Sequence, residues 1–326
     1  MSEESKLPRR SFLKQAAGAL GATTQLGHWP VAEGGMPHQP ATALERQEGK
    51  SAAERAPIPY PRSFRGRQLQ MVSFPLGGVA AGSLGLGGRG QLRDWEIFNR
   101  PNQGFSPSYA FPSIWVQSGD GKPMARVLEA RILPPYQGQD GLGSNNAPGL
   151  SRLESAVFTG EYPLAHIDFQ DFTLPVTVEL DAFSPFIPHD SDDSGLPVTL
   201  LRYRVTNQQP TGAKVSIVFS IDNPVKVSAP SDRARPEQDA RRNQYQENLF
   251  LAGLVMTNPD LSADDPMFGS FALAAIPAND VSLSHWEGWP KGRWWNTPML
   301  FWDQFSVQGE LGAEPDPHNT VGALCQ

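Results

Sequence analysis

The glycine-rich run that begins at Gly77, GGVAAGSLGLGGRG followed by QLRDWEIFNR, constrains this chain more than any other feature. Seven glycines fall between Gly77 and Gly90, and charged and aromatic residues then take over. Because glycine has no Cβ, it allows tight turns and the close approach of neighbouring strands. The run therefore predicts short, closely packed strands.

A phosphate-binding loop is the alternative interpretation of this run, since Gly85, Gly87 and Gly90 satisfy the G-x-G-x-x-G pattern. Such a loop requires a helix directly after it, with the pyrophosphate at the helix N-terminus. Only ten residues separate Gly90 from Pro101, and no acidic residue follows at the spacing that binds a ribose. The β interpretation is favoured, and the sequence predicts no cofactor.

Period-two patterns extend the β prediction over most of the chain after Pro61. Proline and glycine number 31 each, which favours many short strands joined by turns. Alternating segments are Val176–Ala182, Leu201–Val205 and Val215–Ile221, and the apolar segments Leu249–Met256 and Phe268–Ile276 suit central strands. The polar segment Arg235–Asn248 is interpreted as a surface loop with one helical turn. The predicted fold is an all-β sandwich.

The N-terminus has the pattern of a twin-arginine export signal. Arg9 and Arg10 open the sequence RRSFLK, and a weakly apolar, Ala/Gly-rich stretch follows it. That stretch is too short and too rich in glycine to be a stable transmembrane anchor. Residues 1–43 are predicted to be the signal and its cleavage region, and residues 44–60 a disordered linker. We expect export to a periplasm or cell surface, with a basic surface helix as the alternative.

Composition argues against several classes of function. The formal net charge is −7 and the 27 basic residues are scattered, so nucleic acid is not an expected partner. Cys325 is the single cysteine, and the six histidines lack metal-ligand spacing, so no metal site is predicted. Asp190–Gly195 resembles the first half of a calcium loop, but position 12 is Leu201, so a solvated turn is favoured.

Two further groups of residues are candidates for carbohydrate chemistry. Asp94 and Glu96 lie on one face of a predicted strand, yet neighbouring arginines favour a structural ion-pair network over a catalytic pair. Four tryptophans crowd into HWEGWPKGRWW, among them Trp294 and Trp295. Such a cluster can stack on sugar rings, but an apolar plug between domains is favoured.

Two long blocks of this sequence resemble a known family. FPLGGVAAGSLGLGGRG with DWEIFNRP, and EYPLAHIDFQD with LPVTVELDAFSPFIPHDSDDSGLPVTLLRYRVTN, span about 130 residues in the order found in the N-terminal domain of glycoside hydrolase family 116. This is the family of non-lysosomal glucosylceramidases and bacterial β-glucosidases. The resemblance implies a large, supersandwich-like β-sandwich over residues 61–326.

The resemblance also implies which domain of the enzyme holds the catalytic residues. In the family, a C-terminal (α/α)6 domain holds both catalytic carboxylates, and these 326 residues contain no helical repeat, so no catalytic residue is assigned here. The implied substrate is a β-glucoside or glycolipid, hydrolysed with retention and without a metal or cofactor. Residues expected to contact the helical domain or wall the sugar pocket are Arg89, Trp95, Glu96, Phe98 and Asn99.

Two other hypotheses remain open at this point. The chain could be a free-standing carbohydrate-binding sandwich that stacks sugars on Trp294 and Trp295. The twin arginines alone suggest an exported oxidoreductase subunit, for which no cofactor motif is found. If the domain is part of a larger hydrolase, we expect it to expose an apolar interface when isolated.

Overall fold

Short strands joined by turns make up most of the chain in a computed structural model, which describes residues 59–98, 101–134, 147–226, 240–293, 296–312, 316 and 319–326. These residues all belong to one unit, Pro57–Gln326. The strands are β1 (Arg62–Arg65), β2 (Ser73–Leu76), β3 (Ser83–Gly87), β4 (Leu92–Glu96), β5 (Phe111–Ser118), β6 (Met124–Ala130), β7 (Arg152–Leu153), β8 (Ser155–Glu161), β9 (Leu164–Gln170), β10 (Val176–Phe183), β11 (Leu200–Asn207), β12 (Ala213–Asp222), β13 (Arg242–Glu247), β14 (Ala252–Thr257), β15 (Ser270–Ala275), β16 (Ser284–Trp286) and β17 (Val321–Cys325). The helices are a 3₁₀ helix (Gly66–Met71), α1 (Ser191–Ser194) and α2 (Thr297–Gln308).

These strands form four sheets within the described ranges. Their orders are β1-β8-β9-β10-β11, β16-β17-β12-β5-β6-β7, β13-β14-β15 and β2-β3-β4. Neighbouring strands are antiparallel except β6 and β7, which are parallel. The predicted all-β class is confirmed. The strands are divided among four sheets, so the hydrogen bonding does not define the two facing sheets of a simple sandwich.

All four sheets contribute to one hydrophobic core. Ile167 and Leu180 reach it from the five-stranded sheet, Ile114 from the six-stranded sheet, Leu254 from β14 and Leu86 from β3. Each of these side chains is fully buried. Period-two alternation places such residues on one face of their strands, which explains why the patterns at β10, β11 and β12 were readable from sequence.

The opposite face of the six-stranded sheet is covered by α2. Phe301 and Phe305 of the helix are fully buried, and Phe301 stacks on Trp289 with ring centroids 4.6 Å apart. Trp286, from β16, is buried in the same cluster. Trp286 and Trp289 therefore pack within this domain and are not exposed to stack on a sugar. No helix in the described part of the chain is long and apolar enough to cross a bilayer.

Two strand predictions were wrong. Arg242–Glu247, which was interpreted as part of a surface loop, is β13, and it pairs with β14 along its whole length. Its charged and amide side chains are exposed, except that of Asn243, which is buried. Phe268–Ile276 contains β15, which is an edge strand of its sheet and not a central one.

The outer face of the five-stranded sheet carries a network of ion pairs. His166 on β9 bonds Asp181 on β10 through Nδ1 at 2.7 Å and Asp168 through Nε2 at 3.2 Å. Asp181 also accepts a hydrogen bond from Arg202 on β11 at 2.7 Å. Burial lowers the pKa of His166, but the hydrogen bonds and charges of the two aspartates outweigh burial and raise it.

Replacing His166 with glutamine is expected to destabilise the protein in mildly acidic solution and much less at alkaline pH. A pKa raised on folding stabilises the folded state fully below the unfolded value of about 6.5, and the stabilisation is lost as the pH rises through the folded pKa. Urea unfolding at about pH 5.5 and about pH 8.5 measures the difference. His285→Gln is the control with the opposite trend, because burial lowers the pKa of His285. Equal losses for His166→Gln at both pH values would contradict the prediction.

Candidate functional site

The candidate site is a groove over the small sheet β2-β3-β4, where the glycine-rich run lies. Its volume is about 330 Å³. The lining residues are Ser73, Pro75, Ser83, Leu84, Gly85, Arg93, Asp94, Glu96, Gln103 and Gly104. Hydroxyl, amide, carboxylate and guanidinium groups all face this groove, so it is suited to a ligand with several hydroxyl groups.

Asp94 lines the groove, and hydrogen bonds hold its carboxylate in place. Its Oδ2 accepts hydrogen bonds from Ser73 Oγ at 2.6 Å and Arg93 Nε at 2.8 Å, and its Oδ1 accepts one from the Gly104 N–H at 2.5 Å. The residue has a positive φ of 51°, at a register shift between β3 and β4. Burial raises the pKa of Asp94, but these hydrogen bonds and the Arg93 charge outweigh burial and lower it. Both oxygens are therefore held, ionised, in a structural role.

The Glu96 carboxylate lines the same groove and accepts fewer hydrogen bonds than the Asp94 carboxylate does. Its Oε1 accepts a hydrogen bond from the Asn102 N–H at 3.2 Å, and Oε2 has no partner among the described residues. Glu96 is half-buried and lies opposite Ser83 in the β3-β4 pairing. The ion pair expected in this segment is present between Arg93 and Asp94. Asp94 therefore stabilises the local structure, whereas the Glu96 carboxylate is available to a ligand.

Gly85 shows why the run is rich in glycine. A Cβ on Gly85 would overlap Ser73 Oγ and would lie 3.1 Å from the Asp94 carboxylate. A Cβ on Gly78 would lie 2.5 Å from the Leu196 carbonyl oxygen. At both positions glycine permits a close approach of neighbouring groups, as the sequence predicts. The run does not form a phosphate-binding loop, since β4 follows it where a helix would be required.

Replacing Gly85 with alanine is expected to lower the free energy of unfolding by about 1–3 kcal/mol, because the new methyl group displaces Ser73 from Asp94. Gly212→Ala is the matched control, since a Cβ there meets nothing within 4 Å. Chemical unfolding of both variants measures the difference. A Gly85→Ala protein as stable as the Gly212→Ala protein would contradict this account of the groove.

The structure places the predicted contact residues in different environments. Trp95 is buried in the core against Phe271, with ring centroids 5.7 Å apart, and its Nε1 has no acceptor in the described chain. Glu96 lines the groove and Phe98 is half-buried. Asn99 lies outside the described residues, as do Trp294, Trp295, Arg9 and Arg10.

Arg89 is also buried and lies away from the groove. Its Nη1 donates to the Ala130 carbonyl at 2.8 Å and to Glu129 at 3.4 Å. Arg152 contacts the same Glu129 oxygen through Nε at 3.2 Å. Arg89 therefore does not join the ion pair of Asp94, although the sequence places the two only five positions apart.

Beside the groove, one end of the five-stranded sheet exposes a set of apolar side chains, which we call the apolar rim. Its members are Val79, Tyr162, Leu164, Phe186, Ile187, Leu196 and Val198, each at least 40% exposed. The loop 77–82 joins this rim to the groove through hydrogen bonds from the Gly77 N–H to Ser184 Oγ and from the Val79 N–H to the Ser194 carbonyl. Such a concentration of exposed apolar residues is typical of an interface.

The acidic segment near the rim is a capped turn. Asp190 caps α1, accepting hydrogen bonds from the Asp192 and Asp193 N–H groups at 3.1 and 3.0 Å. This agrees with the favoured interpretation of Asp190–Gly195 as a turn. In the described residues, no group of three or more His, Cys, Asp or Glu side chains is placed to hold a metal ion.

Comparison with protein families gives one match that covers the groove and the rim. The profile of the family described as beta-glucosidase 2, glycosyl-hydrolase family 116 N-term, matches residues 73–325. The match begins at the first residue of β2 and ends at the last residue of β17. The matched range therefore contains every strand of the four sheets except β1.

Proposed function

Since the chain belongs to the family of glycosyl-hydrolase family 116 N-terminal domains, we propose that it is the non-catalytic N-terminal part of an exported β-glucosidase or glucosylceramidase-like hydrolase. The observation that carries the proposal is the family match over residues 73–325. The complete enzyme hydrolyses β-glucosides with retention, through a glucosyl-enzyme intermediate.

The hydrogen bonds that the Asp94 carboxylate accepts support a non-catalytic role for this domain. A retaining glycosidase needs two carboxyl groups about 5–5.5 Å apart, one as nucleophile and one as acid and base. Both Asp94 oxygens accept hydrogen bonds from Ser73, Arg93 and Gly104, so neither is available to attack a sugar. We place both catalytic carboxylates in an (α/α)6 helical domain outside these 326 residues.

The groove and the apolar rim support a scaffolding role next to that helical domain. The rim supplies apolar area for docking. The adjacent groove then forms one wall of the sugar pocket, where Glu96, Ser83 and Gln103 offer hydrogen bonds to hydroxyl groups.

The test is an assay of the purified 326-residue chain with a chromogenic β-glucoside, alongside Asp94→Asn and Glu96→Gln. We expect no hydrolysis by any of the three proteins. Hydrolysis that either substitution abolishes would place the chemistry in the groove and contradict the proposal.

The groove also favours a second candidate function, that of a carbohydrate-binding module. Saturable binding of β-glucosides by the isolated chain would favour that candidate.

Export is proposed from the RRSFLK pattern. Replacing Arg9 and Arg10 with lysine keeps the charge but removes the paired guanidinium groups, and we expect it to abolish export. Fractionation of cells that carry residues 1–43 fused to a folded reporter measures the effect. Equal amounts of reporter outside the cytoplasm for the native and the double-lysine signal would contradict this part of the proposal.

A further inference from the structure

The last strand of the five-stranded sheet, β11, has a free edge. It pairs with β10 over its whole length, and no strand pairs with its other side in the part of the chain that the structure describes. β11 has 8 residues, whereas the other strands that end a sheet here have between 2 and 6. It contains no proline, and its register with β10 has no bulge. A long, regular edge of this kind is a template for another strand.

The backbone groups that point away from β10 belong to Leu201, Tyr203 and Val205. Just beyond the end of β11, the Gln208 N–H donates to the Pro175 carbonyl in the same register. In an antiparallel pair, residues that bond the neighbouring strand alternate with residues whose N–H and C=O groups point away. The odd-numbered residues of β11 therefore point outward, and none of these three has another backbone hydrogen bond to a described residue.

Two arginines on the outer face of β11 leave this edge open. Charged side chains often protect an edge strand by repelling its neighbours. Here Arg202 contacts Asp181 at 2.7 Å and Arg204 contacts Glu179 at 2.6 Å, and both carboxylates belong to β10. The guanidinium groups are thus held toward β10 and away from the free edge. Their side chains are still 64% and 55% exposed, so they remain accessible to a strand laid beside β11.

The two faces of β11 specify the strand that fits this edge. On the inner face, Leu201, Tyr203 and Val205 are partly buried and pack against the core. Apolar residues of an added strand would lie opposite them and extend that packing. On the outer face, the positions directly opposite Arg202 and Arg204 favour carboxylates, because opposite charges stabilise a cross-strand pair. The matching sequence alternates apolar and acidic residues.

A second copy of β11 does not have this pattern. Directly opposite residues of an antiparallel pair point to the same face, so apolar positions must meet apolar positions. The registers that satisfy this condition with the longest overlap place two arginines directly opposite one another. Like charges in that position destabilise a pair of strands. The edge therefore favours a different polypeptide over self-association.

We propose that β11 is a docking edge for an extended, acidic and apolar segment of a partner protein, which adds as a further antiparallel strand to the five-stranded sheet. The backbone groups of Leu201, Tyr203 and Val205 bond the added strand, and Arg202 and Arg204 select its acidic residues. This interaction does not depend on the proposed glycosidase assignment, since it uses neither the groove nor the apolar rim.

The probe is a fluorescein-labelled peptide of alternating glutamate and valine, as long as β11, titrated with the 326-residue chain and followed by fluorescence anisotropy. We expect saturable binding that Val205→Pro weakens by about tenfold, the effect of one or two lost hydrogen bonds. Proline is accepted on an edge strand where its missing N–H would face away from the sheet, so this variant should fold. Val205→Thr is the matched control, because it keeps the N–H and the branched side chain, and it should bind as the wild type does.

A second arm tests the charge selection and the place of binding. A peptide of alternating lysine and valine should bind the wild type at least about tenfold more weakly, and Arg204→Glu should reduce that preference. Binding of the acidic peptide should also slow hydrogen exchange at the Tyr203 and Val205 amides, a readout that does not require a variant to fold.

Several results would overturn the proposal. They are the absence of saturable binding by the acidic peptide, equal binding of the acidic and basic peptides, and unchanged exchange at Tyr203 and Val205 in the complex. A folded Val205→Pro protein that binds the acidic peptide as well as Val205→Thr does would also contradict it. A dimer of the chain that Val205→Pro dissociates would assign the edge to a second copy instead.

Discussion

Replacing Glu129 with alanine is expected to lower the free energy of unfolding by about 3–5 kcal/mol, because it removes the carboxylate of a buried ion pair. The Glu129 side chain is 7% exposed and contacts both Arg89 and Arg152. Its removal leaves the Arg89 guanidinium, whose side chain is 11% exposed, without a carboxylate among the described residues. Removing one partner of a buried ion pair is far more costly than the net value of the pair.

The matched control for Glu129 is Glu179→Ala. Glu179 pairs with Arg204 at 2.6 Å, but that arginine side chain is 55% exposed. Water can solvate Arg204 after the substitution, so the expected loss is below about 1 kcal/mol. Chemical unfolding of both variants measures the difference. Similar losses for Glu129→Ala and Glu179→Ala would show that the buried cluster is solvated well enough to need no carboxylate.

Replacing Phe301 with alanine is expected to destabilise the protein by about 3–5 kcal/mol, the usual loss for a large aromatic residue removed from a packed core. Phe301 is fully buried and stacks on Trp289 and Phe305, with ring centroids 4.6 and 5.9 Å away. It also contacts Phe111 of β5 edge to face. The cavity left behind would be lined by these three rings.

Val307→Ala on the same helix is the control for Phe301. Val307 is 67% exposed, and alanine favours helix more than valine does, so the expected change is within about 0.5 kcal/mol. Differential unfolding of the two variants tests whether α2 is part of the stable domain. A Phe301→Ala protein as stable as the Val307→Ala protein would show that α2 contributes little to the core.

The strands of this fold were largely predictable, because one buried face imposes period two on a strand. Val176, Val178 and Leu180 alternate with polar residues, and all three are buried. Strand β13 was missed for the same reason, since Arg242–Glu247 has only one buried residue and no apolar alternation. The division into four sheets depends on pairings between distant segments, such as β12 with β17, which periodicity does not reveal.

The helix α2 carried signals that were overlooked. Pro298 stands in its first turn, Gly309 ends it with a left-handed φ of 72°, and Phe301 and Phe305 are spaced by four residues. These are the usual markers of a helix beginning, end and buried face.

The groove was only partly readable from the sequence. The importance of the glycine-rich run and of Asp94 and Glu96 follows from local residues alone. The contact of Ser73 with Asp94, 21 positions away, requires the register of β2, β3 and β4. Likewise, the sequence places Arg89 near Asp94, whereas the fold turns Arg89 toward Glu129 on β6. Side-chain direction at a bulged strand is set by tertiary packing, which sequence spacing does not specify.

The most direct test of the central proposal is to purify β-glucosidase activity from the native source and measure the mass of the active species that contains peptides of this chain. The proposal predicts activity only in a species larger than the 35.6 kDa of the 326 residues, because the catalytic carboxylates belong to an additional helical domain. Activity in a species of 35.6 kDa that Glu96→Gln abolishes would contradict it and place catalysis in the groove.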